Sequence, residues 1–401
     1  MIKLHRSEIT VAQVFEAYYD CRRRKRNTAS ALAFEVDLEA NLMGLYRELA
    51  AGTWAPAPAS VFVVQRPKCR EVWAADFRDR IVHHLVYRAI GPLFERAFIG
   101  DSCACIPGRG TLFGANRLER HLLSVTENWR KPAFVLKADI ANFFGSIRQD
   151  VLFAMLEAKI RDQTLLDLCR KLVFQDVRLG AIIRSTPAEL AMVPRHKSLF
   201  HAAPGIGLPI GNLSSQFFAN VLLDSLDQMV KRRLGMRHYV RYVDDMVIAH
   251  PSTTALLAAA QAMRDHLAGI GLALAEHKTF VAPAAKGVDF VGHVIRPFRR
   301  SGRPKTHRAA IRRIEAAPAA DLAARVNSYL GLYRHGGSQA QIIDVGHAAM
   351  RRGLKLDRSL TKVHAPRKPC RDCINSAHPD AACTCGHHPE RPCRRFERIP
   401  F

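Results

Sequence analysis

Apolar residues along the chain fall into two kinds of run. From Leu32 to Leu49 they recur mostly at helical spacing, at Leu32, Val36, Leu38, Leu42, Leu45 and Leu49, with charges between them, so residues 1–55 read as a helical segment. Trp54-Ala55-Pro56-Ala57-Pro58 breaks that pattern. Further helices are expected over Asp79–Phe94, closing near Gly91-Pro92, over Val151–Ile160 and over Leu165–Phe174. Ser214–Arg233 reads as a long helix opened by Asn212 and serines, which are good N-cap residues; Thr253–Gly269 is another, and a basic helical stretch runs from Arg308 to about Lys355. The second kind of run is short and almost wholly apolar: Val61–Val64, Phe134–Ile140, His238–Val243, Met246–Ala249, Thr279–Val281 and Asp289–Ile295. These read as strands, two of them joined at Asp244-Asp245 as a hairpin. Strands and helices interleave without strict alternation, which predicts an α+β core. No repeat at solenoid periods is present.

Composition adds a partner to this picture. Of 401 residues, 60 are Lys or Arg and 36 Asp or Glu, a formal charge of +24. With 48% hydrophobic residues the chain has enough apolar material for a core, and its length suits two or three domains. The positive surplus points to a polyanion, nucleic acid first and an anionic membrane surface second. No apolar run approaches the roughly 20 residues of a bilayer span; the longest candidate, Ala255–Met263, is short and mostly alanine. Met1–Arg6 has no apolar stretch behind its charges, so no signal peptide is expected. A reducing cytosol is the expected compartment, in which the ten cysteines stay thiols or bind metal.

Five of those cysteines, Cys370, Cys373, Cys383, Cys385 and Cys393, crowd into a tail from about Ala365 that is rich in Pro, His and Arg. Zinc takes four N/S ligands in a tetrahedron, and a close cysteine pair on each side suits it. Against that, Cys-x-Cys is not the usual second half and one cysteine is left over. The tail is therefore either a structural zinc site, with His378, His387 and His388 nearby, or a basic segment with free thiols; a redox role is a third reading. Its arginines would attract RNA phosphates in any of these cases.

The sharpest chemistry lies in three carboxylates. Asp244 and Asp245 sit side by side at a hairpin tip between apolar strands, where they repel each other and lose solvation. Either they cap a turn or a cation compensates them. Asp139 closes a second apolar strand, and if the two strands are neighbours the carboxylates converge. Mg²⁺ typically uses one or two carboxylates plus substrate phosphates, and a pair of such ions bridges an attacking hydroxyl and a leaving pyrophosphate. With basic charge and no Gly-x-x-x-x-Gly-Lys loop, this pattern suggests nucleotidyl transfer.

These residues carry a family resemblance. Lys137-Ala138-Asp139-Ile140-Ala141-Asn142-Phe143-Phe144 resembles the first catalytic motif of reverse transcriptases, and Tyr242-Val243-Asp244-Asp245 resembles their signature hairpin. Leu208-Pro209-Ile210-Gly211-Asn212-Leu213-Ser214-Ser215-Gln216 is similar to the motif between them, Glu276-His277-Lys278-Thr279 to the next, and Gly287-Val288-Asp289-Phe290-Val291-Gly292 to the primer-grip hairpin. The five stand in the family's order over roughly residues 60 to 345. Most of the family carries Gln where this chain has Ile210; the form Ile-Gly-x-x-x-Ser-Gln is similar to the enzymes of diversity-generating retroelements. Arg78–His84, Phe98–Cys105 and Gly108–Thr111 resemble that group too, although retron and group II intron enzymes share parts of them. The group's Arg-Lys-Gly-Lys-Gly variant stands here as Ile106-Pro107-Gly108-Arg109-Gly110, one basic residue fewer.

The resemblance implies a right-hand polymerase fold: fingers and palm over 56–300 with an antiparallel catalytic sheet, a helical thumb over 301–364, then the Cys-rich basic tail over 365–401. It implies RNA-templated DNA synthesis from dNTPs, error-prone at template adenines. Two Mg²⁺ ions would be held by Asp139, Asp244 and the carbonyl of Ile140, with Asp245 tuning the charge. Phe144 would be a steric gate against a ribose 2′-hydroxyl, or else a core Phe. Arg78 and Arg80 would grip the triphosphate, or are surface ion-pair residues. Lys278 would protonate the leaving pyrophosphate, or is a solvated lysine. Gly211 and Gln216 belong to the nucleotide-side loop with Ile210, whose aliphatic side chain offers no directional contact, or simply packs. Partners implied are a structured template RNA, the cDNA/RNA hybrid and a small basic helical accessory protein, with no membrane. A retron-like or phage-defence enzyme is an alternative; a non-catalytic RNA-binding protein on a polymerase scaffold is a different class.

Overall fold

The computed structural model describes residues 7–23, 28–66, 68–357 and 363. They divide into two compact units, one ending at Arg303 and the other beginning at Pro304.

The first unit holds ten strands, β1 (Ser60–Val64), β2 (Arg70–Ala74), β3 (Phe134–Asp139), β4 (Ile182–Ile183), β5 (His238–Tyr242), β6 (Asp245–His250), β7 (Phe280–Pro283), β8 (Val288–Phe290), β9 (His293–Arg296) and β10 (Arg299–Gly302). Its helices are α1 (Val11–Arg22), α2 (Ala29–Glu35), α3 (Leu38–Ala50), α4 (Phe77–Glu95), α5 (Thr111–Val125), α6 (Phe143–Ser146), α7 (Gln149–Glu157), α8 (Gln163–Val173), α9 (Pro187–Ala191), α10 (Leu213–Gln228) and α11 (Thr253–Gly269). The central sheet is antiparallel in the order β5-β6-β3-β7. Leu136, Ala138, Tyr239, Met246 and Ile248 bury one of its faces with residues of α10 and α11. Val135, Val240, Val247 and Ala249 bury the other with Leu118 and Leu122 of α5 and with Phe290 and Ile295. Cover on both faces explains the unbroken apolar run Met246–Ala249 of β6 and the apolar start of β3, Phe134–Leu136. Each such side chain contributes about 1.5–3 kcal/mol.

Two small sheets flank it, β2-β1-β4 and β10-β9-β8. Helices α1 and α3 share the largest core: Tyr18 meets Phe77 edge-on, and Arg88 of α4 pairs with Glu16 and Asp20. The second unit is a bundle of α12 (Pro304–Glu315), α13 (Ala319–Gly336) and α14 (Gln339–Arg351) around a core of its own. Among the described residues no helix is long and apolar enough to cross a membrane.

Several boundaries differ from the sequence reading. The helix expected to close near Gly91-Pro92 runs on to Glu95, because Val86, Ile90 and Phe94 bury one stripe; Gly91 serves the Tyr87 ring, which a Cβ there would meet at 3.1 Å. Leu32 and Val36 are exposed, since the chain breaks between α2 and α3; Leu42, Leu45 and Leu49 are buried in the core and Leu38 packs against it half-buried. Ser214–Arg233 is α10 followed by a π-helical turn over Met229–Arg233. Asn212 stands at its N-cap position as expected, but its side chain makes no capping bond: its Oδ1 accepts from the backbone N–H of Ala75 at 3.1 Å. Asp289–Ile295 is not one strand but the hairpin of β8 and β9.

Candidate active site

Strand pairing brings the carboxylates together. Strands β3 and β6 are neighbours with Asp139 opposite Asp245, and β5 pairs Tyr242 with Asp245. The loop of the β5–β6 hairpin is therefore Val243-Asp244, one residue earlier than the sequence suggested. Val243 takes φ 55° at the first loop position, where glycine is preferred and a β-branched residue is strained.

The cost of this convergence is visible in the electrostatics. Burial first, and then repulsion from Asp139, hold the Asp244 carboxyl above the usual carboxylate range, against the pull of Lys278 and Lys68. Burial pushes Asp245 up to about 6. Its Oδ1 is buried without a hydrogen-bond partner, 3.7 Å from the Lys137 ammonium. Lys278 Nζ donates to Asp139 Oδ1 at 2.8 Å. Among the described residues no three His, Cys, Asp or Glu side chains form a ready metal cage. The donor set nevertheless fits Mg²⁺: hard oxygens only, destabilised by one another, one of them orphaned. Ile140 bridges Leu274, and the hydrogen bonds of that bridge run through Asp139 and Ala141, so the Ile140 carbonyl is not used there.

These groups open into a cleft of about 710 Å³ lined by Asp139, Ile140, Phe144, Ile210, Asp244, Asp245 and Lys278. Phe144 is half-buried against Phe143, ring centroids 5.2 Å apart, and its carbonyl accepts from Leu208 N–H at 2.8 Å. Ile210 accepts from Trp73 N–H at 2.7 Å, which lays its loop on β2. Gly211, at φ 135°, is needed there: a Cβ would stand 2.9 Å from the Trp73 carbonyl oxygen.

The cleft also holds cations that the sequence reading missed. Lys68 and Arg70 line it from the β2 side, and Lys197 from a segment fixed by two bonds, Asn142 Nδ2 to the His196 carbonyl at 2.6 Å and Leu199 N–H to Glu71 Oε2 at 3.0 Å. Arg78 and Arg80 do not line it. Arg78 pairs with Glu48, and Arg80 Nε donates to the Ala75 carbonyl at 2.8 Å. Gln216 is exposed outside the lining, accepting from Cys105 Sγ at 3.1 Å. Cys370, Cys373, Cys383, Cys385 and Cys393, the candidate zinc ligands, lie outside the described residues.

Residues 66–295, more than half of the chain, match the reverse transcriptase (RNA-dependent DNA polymerase) family. The chain belongs to that family. The match in this reverse transcriptase family member runs through the cleft, from before Lys68 into β9. An uncharacterized 91 kDa protein in a cob intron of Schizosaccharomyces pombe is 26% identical over 154 residues, 38% of this chain and 16% of that one. Among solved structures, telomerase from Candida albicans with a TWJ fragment of telomeric RNA aligns at TM-score 0.47 and 12% identity, over 74% of this chain and 54% of that one. Apo telomerase from Candida tropicalis, truncated from its C-terminal domain, aligns at TM-score 0.44 and 11% identity, over 64% and 59%. The chain thus spans less than two thirds of each relative's length.

Proposed function

We propose that the chain is an RNA-directed DNA polymerase, a nucleotidyltransferase that copies an RNA template into cDNA from dNTPs. The observation that carries this is the convergence of Asp139, Asp244 and Asp245 at the paired ends of β3 and β6, inside a cleft rimmed by lysine and arginine. In this reading the first unit supplies fingers and palm and the second a thumb, followed by the basic tail. Deoxynucleotide incorporation opposite an RNA template by the purified chain is the test.

Asp139, Asp244 and the Ile140 carbonyl would hold two Mg²⁺ ions, which lower the pKa of the primer hydroxyl and stabilise the leaving pyrophosphate. Asp245 sets the charge of the site from the neighbouring register position. Lys278, within reach of Asp139, is the proton donor to pyrophosphate. Phe144 lies beside the sugar and excludes a 2′-hydroxyl. Gly211 shapes the nucleotide-side loop and Gln216 stands in the first turn of α10 behind it, neither of them in the cleft lining. For the triphosphate we place Lys68 and Arg70 ahead of Arg78 and Arg80, whose guanidinium groups are engaged elsewhere. A hydrogen bond to a charged group is worth about 1.5–3 kcal/mol, so Lys68→Ala or Arg70→Ala is expected to raise the dNTP KM by roughly ten- to a hundredfold. Steady-state kinetics on one template checks this; an unchanged KM with weakened RNA binding would reassign both residues to the template.

The role we propose is error-prone reverse transcription in a diversity-generating retroelement, with a structured template RNA and a small basic helical accessory protein, in a reducing cytosol. Its support is the Ile-Gly-x-x-x-Ser-Gln form of the 210–216 loop together with the place of Ile210 in the cleft. The aliphatic side chain supplies shape and no donor, so fewer directional contacts reject a wrong pair. Ile210→Gln is expected to lower misincorporation opposite template adenine by roughly two- to tenfold, the worth of one neutral hydrogen bond. Sequencing cDNA made by both proteins on one template measures it, and an unchanged adenine error rate would remove Ile210 as the fidelity determinant. A zinc site in the tail stays a proposal from its cysteine spacing alone, tested by elemental analysis of protein purified without chelator.

A further inference from the structure

The candidate carboxylate Asp244 sits on a loop that should not be comfortable. Val243 before it is β-branched at φ 55°, a conformation that costs on the order of 1–3 kcal/mol and persists only where the surroundings over-determine it. What holds it is a charged cluster buried behind the hairpin. Arg241 is fully buried, and so is Asp227 of α10. They form a bidentate pair, Nε to Oδ1 at 2.8 Å and Nη2 to Oδ2 at 2.7 Å. The rest of the guanidinium is used as well: Nη1 donates to Asn220 Oδ1 at 3.0 Å and to the Val243 carbonyl at 3.1 Å, and Nη2 donates to Ser102 Oγ at 3.1 Å. The backbone of Arg241 is stitched to the same segment, Cys103 N–H to its carbonyl at 2.9 Å and its own N–H to the Asp101 carbonyl at 3.0 Å. Asp101 in turn is gripped by Arg117, His121 and Lys231.

We infer that Arg241 is a positioning residue: its guanidinium, anchored on Asp227, Asn220 and Ser102, pins the Val243 carbonyl and so sets where Asp244 stands. This rests on the proposed polymerase reading and deepens it. A buried ion pair is a poor way to add stability, since replacing both partners by apolar residues is often neutral or better. A planar fork with five donors is, in contrast, a good way to fix several acceptors at once, which lysine cannot do.

Arg241→Lys and Ser102→Ala in the full chain test it. Arg241→Lys keeps a cation against Asp227 and loses the fork. It is expected to lower the primer-extension rate about tenfold, equivalent to roughly 1.4 kcal/mol, and to raise the Mg²⁺ concentration for half-maximal rate, with template RNA affinity unchanged. Ser102→Ala leaves the ion pair intact and is expected to move the same two quantities the same way by a smaller factor. If Arg241→Lys does not fold, Ser102→Ala decides. Calorimetric titration with Mg²⁺ gives a readout apart from activity: weaker binding by Ser102→Ala than by the unaltered protein supports the inference even where neither extends a primer, an outcome that would sink the polymerase reading instead. Variants that lose thermal stability while keeping wild-type Mg²⁺ dependence and affinity would reduce Arg241 to a structural residue and overturn the inference.

Discussion

Asp139→Ala and Asp244→Ala chains are expected to bind template RNA as tightly as the unaltered protein and to incorporate no measurable deoxynucleotide. Charge stabilisation by bound metal is worth several kcal/mol, and each 1.4 kcal/mol or so is a decade in rate, so loss of one ligand lowers the rate on the order of a thousandfold. RNA affinity survives because it comes from the basic surface, and removing an anion from a cleft rimmed by Lys68, Arg70 and Lys197 reduces repulsion of phosphates. Neither variant is expected to lose much stability. The Asp244 carboxyl is held above its ordinary range by burial and by Asp139, so its charge costs stability at neutral pH, and Asp244→Ala is expected to melt no lower than the parent. Asp139→Ala removes the acceptor of the partly exposed Lys278 ammonium but also the repulsion on Asp244, and is expected to melt close to the parent. Filter binding, primer extension and thermal melts on both variants check the three statements. Measurable incorporation by the Asp139/Asp244 double variant would refute the assignment.

The second large effect is expected at Phe144. Its backbone is fixed by the bond from Leu208 and its ring leans on Phe143, so the side chain is a held wall of the cleft rather than a mobile one. A rigid wall discriminates by refusing volume. In apolar pockets a misfit of one methylene-sized group is worth about 1–3 kcal/mol, or 10–200-fold. Phe144→Ala is therefore expected to raise ribonucleotide kcat/KM by roughly that factor, with a smaller loss for deoxynucleotides. Single-nucleotide incorporation with matched dNTP and rNTP measures the ratio. If the ratio is unchanged while the melt falls, Phe144 is a core residue and the sugar is selected elsewhere.

Much of this site was legible in the sequence because its supports are extreme. Strands buried on both faces read as mostly apolar runs, and Asp139 and Asp244 stand out at the ends of such runs; what separates them from simple turn caps is their order with the other family motifs. The turn was misplaced by one residue because its position is set by the pairing of Tyr242 with Asp245, a property of two strands together. Lys68 and Arg70 were missed for the opposite reason: exposed cations just before β2 and at its first residue look like any solvated surface. Arg78 and Arg80 stand in a family motif, yet Arg78 is taken by Glu48, thirty residues away and invisible in the local sequence, and Arg80 by the Ala75 carbonyl just before its helix. Asp227 falls on the apolar stripe of α10 with Leu223 and Leu226, and a charge on a buried stripe demands a buried partner. Arg241, beside the signature carboxylates, was that partner.

The polymerase assignment is tested most directly by primer extension with the purified full chain on an RNA template with an annealed DNA primer. The predicted result is stepwise growth of the primer with dNTPs and Mg²⁺, abolished by chelation and by Asp244→Ala, and much weaker with rNTPs. Primer that stays at its starting length under these conditions, while the chain still binds the template, would contradict it and leave an RNA-binding protein on a polymerase scaffold.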